Sequence, residues 1–257
     1  MTPSGKPLLL FNGAEFRLQI TVCLDGALLA YQEWVAPGRA MQFLAPAVAA
    51  MLGQLRLAPA DLGGVACVRG PGGFTGLRLV LATALGIALG SGLPMAAMDY
   101  LEILADGPAK LLGRPVAVLT HSRRREVYYR EFAPGEAEMR ALAPVAGYSL
   151  GEAARRLGAF AAAGPVAVLG SGLRRNLAVL SAALGEAASG VSILPEFCDN
   201  PGPEALIRAA SRADWSLTAF EPHYLRGSDA EENLETFAAA RGINPEDARR
   251  TLAAGAN

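Results

Sequence analysis

The stretch Arg69-Gly70-Pro71-Gly72-Gly73-Phe74-Thr75-Gly76-Leu77-Arg78 separates a predicted buried strand at residues 65–68 from a predicted helix at residues 76–89. Glycines allow the main chain to turn tightly here and to approach another surface closely. The stretch lacks the Gly-Lys-Ser/Thr ending of a P-loop, and Thr75 stands where a dinucleotide-binding fingerprint counted from Gly70 needs glycine or alanine. The pattern leaves two interpretations open, a phosphate-binding loop and a structural strand-to-helix turn.

Hydrophobic periodicity around this loop predicts the order strand, strand, strand, helix, strand, helix. The second and third strands are joined at Asp25-Gly26, which is a hairpin signal. The predicted strands lie at residues 7–11, 16–23, 27–34 and 65–68, and the predicted helices at 41–55 and 76–89, before a short strand at 94–97.

The same order begins again after a connecting helix predicted at residues 99–112. The predicted strands of this second half lie at residues 116–120, 126–132, 139–143 and 166–169, and its helices at 150–157 and 173–184. Two βββαβα halves are typical of the actin, sugar-kinase and Hsp70 superfamily, an α/β, ribonuclease H-like fold of two lobes with nucleotide between them. An ordinary doubly wound sheet does not call for three strands at the start of each half.

Three regions are expected from this pattern. Residues 1–98 form an N-terminal lobe with dimerisation helices, and residues 99–220 form a C-terminal lobe. Residues 221–257 form a helical tail that packs back on the chain, with helices at 229–240 and 245–254. Asn244 is the expected N-cap of the last helix, with Pro245 at its first position.

Composition indicates a globular intracellular protein. The 257 residues are 52% hydrophobic and 18% charged, which is too apolar for disorder. The net charge of -1 excludes a protein that holds RNA mainly through its own basic surface, so a nucleic-acid role requires a partner. Three cysteines far apart fit reduced thiols and a cytoplasmic location.

Residues 79–98 carry no charge, and twenty such residues are nominally long enough to span a membrane. Gly90-Ser91-Gly92-Leu93-Pro94 interrupts this run with residues that end helices. The first ten residues lack the features of a signal peptide. We therefore expect a buried helix followed by a strand, and no membrane association.

The string from Arg69 to Arg78 resembles the signature of the TsaB (YeaZ) family, which usually has serine at the position of Gly73. The residues that carry this family motif loop are Arg69, Gly70, Pro71, Gly72, Phe74, Thr75, Gly76 and Arg78. Weaker matches follow in the family's order: Ala88-Leu89-Gly90 with Leu93-Pro94-Met95, Arg123 with Glu126-Val127-Tyr128, and Glu221-Pro222 with Tyr224-Leu225-Arg226.

The resemblance implies a cytoplasmic, non-catalytic subunit that pairs with a TsaD-type enzyme to form threonylcarbamoyladenosine next to the anticodon of tRNA. It further implies a TsaE-type ATPase as partner, a homodimer when the chain is alone, and contact with tRNA through the complex. No catalytic residue, metal or cofactor is expected. The alternatives are an ATP-dependent kinase or carbamoyltransferase of the same superfamily, and a glycoprotease-like metallopeptidase.

Two positions argue against nucleotide chemistry. In superfamily members that use ATP, the first strand of each half ends in a turn whose aspartate handles Mg-phosphate, because a hard cation binds carboxylate oxygens. The resemblance places Asn12 and His121 at these two positions. Metal-binding relatives carry paired histidines on one helix, whereas this chain has only His121 and His223. We expect no ATP hydrolysis by the isolated chain.

The two N-terminal helices carry more apolar residues than one buried stripe requires. A well-buried helix pair explains this as well as an interface does, and the resemblance favours an interface because TsaB proteins pair through these helices. The predicted interface residues are Met41, Leu44, Val48, Met51, Leu52, Phe74, Leu77, Leu81, Leu85 and Ala88. The small residues Ala82, Gly86 and Gly90 would let helices approach closely.

Arg123-Arg124-Arg125 precedes a strand that carries Tyr128 and Tyr129. A basic patch beside aromatic residues fits contact with RNA, and it fits a solvated hairpin equally. Both interpretations stay open.

Overall fold

The computed structural model describes residues 2–35, 40–135 and 139–218 and the single positions 220, 221, 223, 225 and 244, with only the main chain at residues 40 and 41. The predicted tail helices at 229–240 and 245–254 lie outside the described residues. The chain divides into one compact unit, Met1–His223, and a second unit, Tyr224–Asn257. The predicted boundaries at residues 98 and 220 stay a prediction.

The first half of the chain has the predicted βββαβα order. Its elements are β1 (Leu8–Asn12), β2 (Arg17–Leu24), β3 (Ala27–Val35), α1 (Ala40–Gln54), β4 (Gly64–Gly70) and α2 (Phe74–Ser91), followed by β5 (Met95–Asp99). Strand β1 lies at the centre, antiparallel to β2 and parallel to β4. Asp25 and Gly26 both have positive φ, as a two-residue hairpin turn requires.

The second half repeats this order after the connecting helix α3 (Tyr100–Leu112). Its elements are β6 (Val116–Arg123), β7 (Glu126–Ala133), β8 (Arg140–Ala141), β9 (Ala146–Ser149), α4 (Leu150–Ala162), β10 (Val166–Leu169), α5 (Ser171–Arg175), α6 (Leu177–Leu184), β11 (Val191–Ile193), α7 (Pro203–Arg212) and β12 (Trp215–Ser216). The sheet orders are β12-β5-β4-β1-β2-β3 and β11-β10-β6-β7-β8, with β9 paired to β7. The α/β fold of duplicated halves is confirmed.

Some elements differ from the predicted ones. The predicted strand at 139–143 is the two-residue β8, and β9 takes the next place along β7. The single helix predicted at 173–184 is two helices, because the chain breaks at Asn176, whose side-chain amide donates to the carbonyl of Gly172 at 2.8 Å. Strand β12 pairs with β5, so the chain returns to the first sheet near residue 215.

Each sheet packs helices against one hydrophobic cluster. In the first half, Leu44 of α1 and Val80 of α2 lie with Phe11 and Val65 of the sheet. In the second half, Leu157 of α4 packs in the cluster that contains Leu119 and Val168. The two clusters anchor the halves separately, which matches a duplicated architecture.

Helix α2 is buried along one side only. Leu77, Val80, Ala84 and Ala88 are its buried residues, whereas Leu89 is 72% exposed. The expectation that it would be covered all round is wrong for the chain alone. By length and composition α2 is also the one helix of the described part of the chain that could cross a membrane. Its buried side is committed to the sheet.

Glycines bring the same close approach into both halves. A Cβ at Gly76 would overlap the carbonyl oxygen of Gly13, and a Cβ at Gly72 would overlap that of Ala14. In the second half, a Cβ at Gly170 would overlap the carbonyl oxygen of Leu119. The loop after the fourth strand of each half therefore packs main chain to main chain on the end of that half's first strand.

Replacement of Gly76 by alanine is expected to lower the free energy of unfolding by about 1–3 kcal/mol, because the added methyl group must displace the β1–β2 turn. Gly86→Ala is the matched control in the same helix, where an added Cβ meets no atom within 4 Å. The control should be neutral or more stable by up to about 1 kcal/mol. Urea unfolding of both variants measures the difference. Equal effects at the two positions would contradict the close approach.

Candidate functional site

The family motif loop is built as a turn that packs on the end of β1. The main-chain N–H of Gly73 donates to the carbonyl of Ala14 at 2.6 Å. Arg69 pairs with Asp99 at 2.8 Å, and the guanidinium of Arg78 lies 3.7 Å from the centre of the Phe74 ring. The loop thus directs its glycines at protein main chain, which favours the structural turn over a phosphate cradle.

Asn12 ends β1 at the first predicted cleft position and is buried, with 2% of its surface exposed. Its Nδ2 donates to Gln19 Oε1 at 2.7 Å, and its Oδ1 accepts from the main-chain N–H of Ala14 at 3.0 Å. Both polar groups of the amide are engaged in shaping the turn. Asn12 is a structural residue of the β1–β2 turn in this arrangement.

His121 lies in β6 at the second predicted cleft position. Its main-chain N–H donates to Ser171 Oγ at 3.0 Å. Ser171 begins α5, directly after the glycine at the end of β10. The turn of the first half and the loop of the second half meet at this serine, because it also bonds the side chain of Glu15.

Glu15 is the charged residue that sequence reasoning missed in the cleft. Its carboxylate accepts hydrogen bonds from Ser171 Oγ and, at 3.1 Å, from Tyr100 Oη. Burial raises the pKa of Glu15 above its ordinary value, against the opposing effect of these two hydrogen bonds. A partial signal existed in the sequence, since Gly170-Ser171-Gly172 follows a strand in the second half as Gly72 to Gly76 does in the first.

A cavity of about 990 Å³ lies beside this region. Its polar wall consists of Arg17, Tyr31 and Glu33, and its apolar walls include Leu111 and Phe197. Gln19 Nε2 lies 2.7 Å from Glu33 Oε2, so the same glutamine that holds Asn12 also reaches the polar wall of the cavity. The sequence gave no indication of this cavity.

Six of the predicted interface residues lie in the core of the chain itself. They are Leu44, Val48, Met51, Leu52, Leu77 and Ala88, each no more than 9% exposed. This corrects the prediction for these six, because a stripe that faces the sheet cannot also face a partner. Phe74, Leu81 and Leu85 are partly exposed, and the side chain of Met41 is outside the described residues.

The exposed side of these two helices is apolar and made of small residues. We call it the outer face, and it consists of Ala45, Pro46, Ala49 and Ala50 of α1 and Ala82, Gly86, Leu89 and Gly90 of α2. Helices α1 and α2 pack beside each other, so the two sets adjoin. Such a surface of small residues allows a helix of another molecule to approach closely.

The basic hairpin joins β6 to β7. Arg123 forms a two-pronged ion pair with Glu126, with distances of 2.7 Å, while Arg124 and Arg125 are exposed. One of the three charges is thus partly neutralised. Within the described residues, no group of three or more histidine, cysteine, aspartate or glutamate side chains is arranged to hold a metal ion.

Comparison with known families places the chain. The family described as "TsaD: tRNA N6-adenosine threonylcarbamoyltransferase" matches residues 39–234, which is more than half of the chain. The chain belongs to this TsaD family.

Within the TsaD family the chain is similar to proteins named TsaB. It is 31% identical over 130 residues to the tRNA threonylcarbamoyladenosine biosynthesis protein TsaB of Escherichia coli K12, which covers 50% of this chain and 56% of that protein. It is 32% identical over 83 residues to the protein of the same name from Bacillus subtilis 168, covering 32% of this chain and 36% of that protein. The chain thus spans about half or less of the length of these relatives.

A solved structure supports the fold. A crystal structure from Pseudomonas aeruginosa, of an uncharacterized protein with similarity to peptidase YEAZ, superposes with a TM-score of 0.71 and 24% identity. It covers 86% of this chain and 100% of that one. The resemblance to TsaB and YeaZ that the motif loop predicted is confirmed.

The raised pKa of Glu15 makes the stability of this TsaD-family chain depend on pH. The folded state binds the Glu15 proton more tightly than the unfolded state, so the free energy of unfolding falls as pH rises from 4.5 through the raised pKa. Glu15→Gln should remove this fall, which is at most about 1.4 kcal/mol per pH unit. Urea unfolding of both proteins between pH 4.5 and 8 measures it.

Glu186→Gln is the control for this measurement, because Glu186 is an exposed glutamate elsewhere on the surface. It should keep the pH dependence of the natural protein. If the natural chain and Glu15→Gln have parallel stability curves, burial does not raise the Glu15 pKa in the folded protein.

Proposed function

We propose that this chain is a non-catalytic subunit that pairs with a TsaD-type threonylcarbamoyltransferase in the formation of threonylcarbamoyladenosine in tRNA. The names of its relatives in E. coli and B. subtilis support this pathway. The observation that carries the partner role is the outer face of α1 and α2. An apolar surface on two adjacent helices is an aggregation liability in a free monomer and is well suited to a stable interface.

The size and composition of the outer face suit helix-to-helix docking. Ala82, Gly86 and Gly90 lie at intervals of four residues and therefore share one side of α2. Leu89 is a large apolar side chain at the edge of this strip and is 72% exposed. A partner helix that covers the strip would bury Leu89 and contact the partly exposed Leu81 and Leu85.

The cleft supports the non-catalytic part of the proposal. Asn12 has no carboxylate and uses both polar groups of its amide within the β1–β2 turn. His121 replaces the second acid and lies against Ser171. A Mg²⁺ ion prefers carboxylate oxygens, and neither position offers one.

Further parts of the proposal follow from the partner role. The TsaD-type enzyme supplies the transfer chemistry in the cytoplasm, and a TsaE-type ATPase joins the complex. tRNA is met through the complex, since the net charge of this chain is -1. When no partner is present, the outer face pairs with that of a second copy. The N-terminal lobe at residues 1–98 carries this interface, and residues 221–257 pack back on the chain.

The direct test is reconstitution with the TsaD-type, TsaE-type and threonylcarbamoyl-adenylate-forming proteins of the same organism. Threonylcarbamoyladenosine in tRNA should form only when this chain is present, and the chain should elute with the TsaD-type protein in gel filtration. The chain alone should not hydrolyse ATP. Equal tRNA modification without the chain contradicts the proposal, as does ATP hydrolysis that co-purifies with the chain through successive columns.

Leu89→Asp should abolish pairing with the TsaD-type protein and convert the homodimer to a folded monomer, because it places a charge in the buried centre of the interface. Leu89 is a better target than Leu81 or Leu85, which also pack against the core. Sedimentation gives the oligomeric state and circular dichroism the fold. Leu111→Asp is the control, since Leu111 is an 86% exposed leucine on α3.

The control should keep both assemblies. A Leu89→Asp protein that still forms the homodimer and the complex would move the interface away from the outer face.

A further inference from the structure

The cleft between the two sheets contains an arrangement of donors that is independent of the partner role. Ser171 Oγ accepts from the main-chain N–H of His121 at 3.0 Å, so its own hydrogen is free to point at Glu15. Tyr100, fully buried at the start of α3, directs its hydroxyl at the same carboxylate. Two hydroxyl donors from two different elements converge on one point.

The loop that carries Ser171 is rigidly held. The buried carboxylate of Asp199 accepts from the main-chain N–H of Gly170 at 2.7 Å and from Arg174 Nε at 2.7 Å. Gly170 packs on the main chain of Leu119, where a side chain has no room. Ser171 is therefore positioned by the C-terminal sheet before Glu15 arrives from the N-terminal one.

An aromatic residue and a cation cover the carboxylate. Phe16 follows Glu15 in the β1–β2 turn, and the guanidinium of Arg175 lies 4.8 Å from the centre of its ring. The charge of Arg175 favours an anion at Glu15, although no described cation comes within ion-pair distance of that carboxylate. The hydroxyl donors and the nearby positive charge form a seat for a small oxyanion.

We propose that this seat is an oxyanion site of the cleft, formed by Ser171, Tyr100 and Arg175, and that the chain occupies it with its own Glu15. The carboxylate stands where a carboxylate or phosphate group of a ligand would bind. Its two hydrogen bonds fasten the β1–β2 turn of one sheet to α3 and to the β10–α5 loop of the other. A ligand that enters the cleft must first displace Glu15.

The experiment empties the seat and refills it. Glu15→Ala removes the carboxylate and leaves the donors in place. Its thermal midpoint is measured against increasing sodium acetate, sodium formate and sodium phosphate, with sodium chloride at matched ionic strength. Acetate or phosphate should raise the midpoint saturably, by about 3 °C near saturation, with chloride far less effective. The response to acetate against phosphate distinguishes a carboxylate seat from a phosphate seat.

Three controls separate the seat from general salt effects. The natural protein and Glu15→Gln keep the seat filled and should respond equally to all four salts. Glu15→Ala combined with Ser171→Ala removes a donor and should lose the specific rise. Glu15→Ser is the second variant if Glu15→Ala unfolds in chloride, because a serine hydroxyl engages one donor and still vacates most of the seat.

Recovery of folding in acetate or phosphate and not in chloride supports the proposal as fully as a rise in midpoint does. Variants that respond to every anion as the natural protein does, or that stay unfolded in all of them, overturn it. Because no partner protein is present, this result is independent of whether the chain pairs with a TsaD-type enzyme.

Discussion

The close main-chain contact between each glycine loop and the end of a first strand is the constraint on which the rest of the structure depends. Gly76 must lie against Gly13 for α2 to reach the sheet, and Gly170 must lie against Leu119 for α5 to begin where it does. These contacts fix the position of both cleft turns. They bring Glu15 and Ser171, which are 156 residues apart, into hydrogen-bonding distance.

The same contact explains why a glycine-rich loop is no phosphate cradle here. A phosphate-binding loop leaves its N–H groups facing an open site, whereas Gly73 donates to the carbonyl of Ala14. Asn12 completes the turn with its amide. The cleft side of the molecule is thus used for internal bonds, and the surface that remains for other molecules is the outer face of α1 and α2.

Much of the fold was predictable because it rests on local patterns. Alternating and continuous apolar runs gave β1, β4 and β10 almost to the residue, and Asp25-Gly26 gave the hairpin. Strands β11 and β12 were missed, because two or three residues carry too little periodicity. The helix break at Asn176 was missed because it depends on a side-chain bond to Gly172.

The sequence by itself determined the family through the Arg69 to Arg78 motif, the duplicated order of elements and the loss of acids at Asn12 and His121. Only the tertiary structure decided which apolar residues face outward, since a helix that is apolar all round has no side marked for the core. It also decided the role of Glu15, because the donors that receive its carboxylate come from residues far away along the chain. Long-range contacts of that kind depend on how the two halves meet, which no local pattern records.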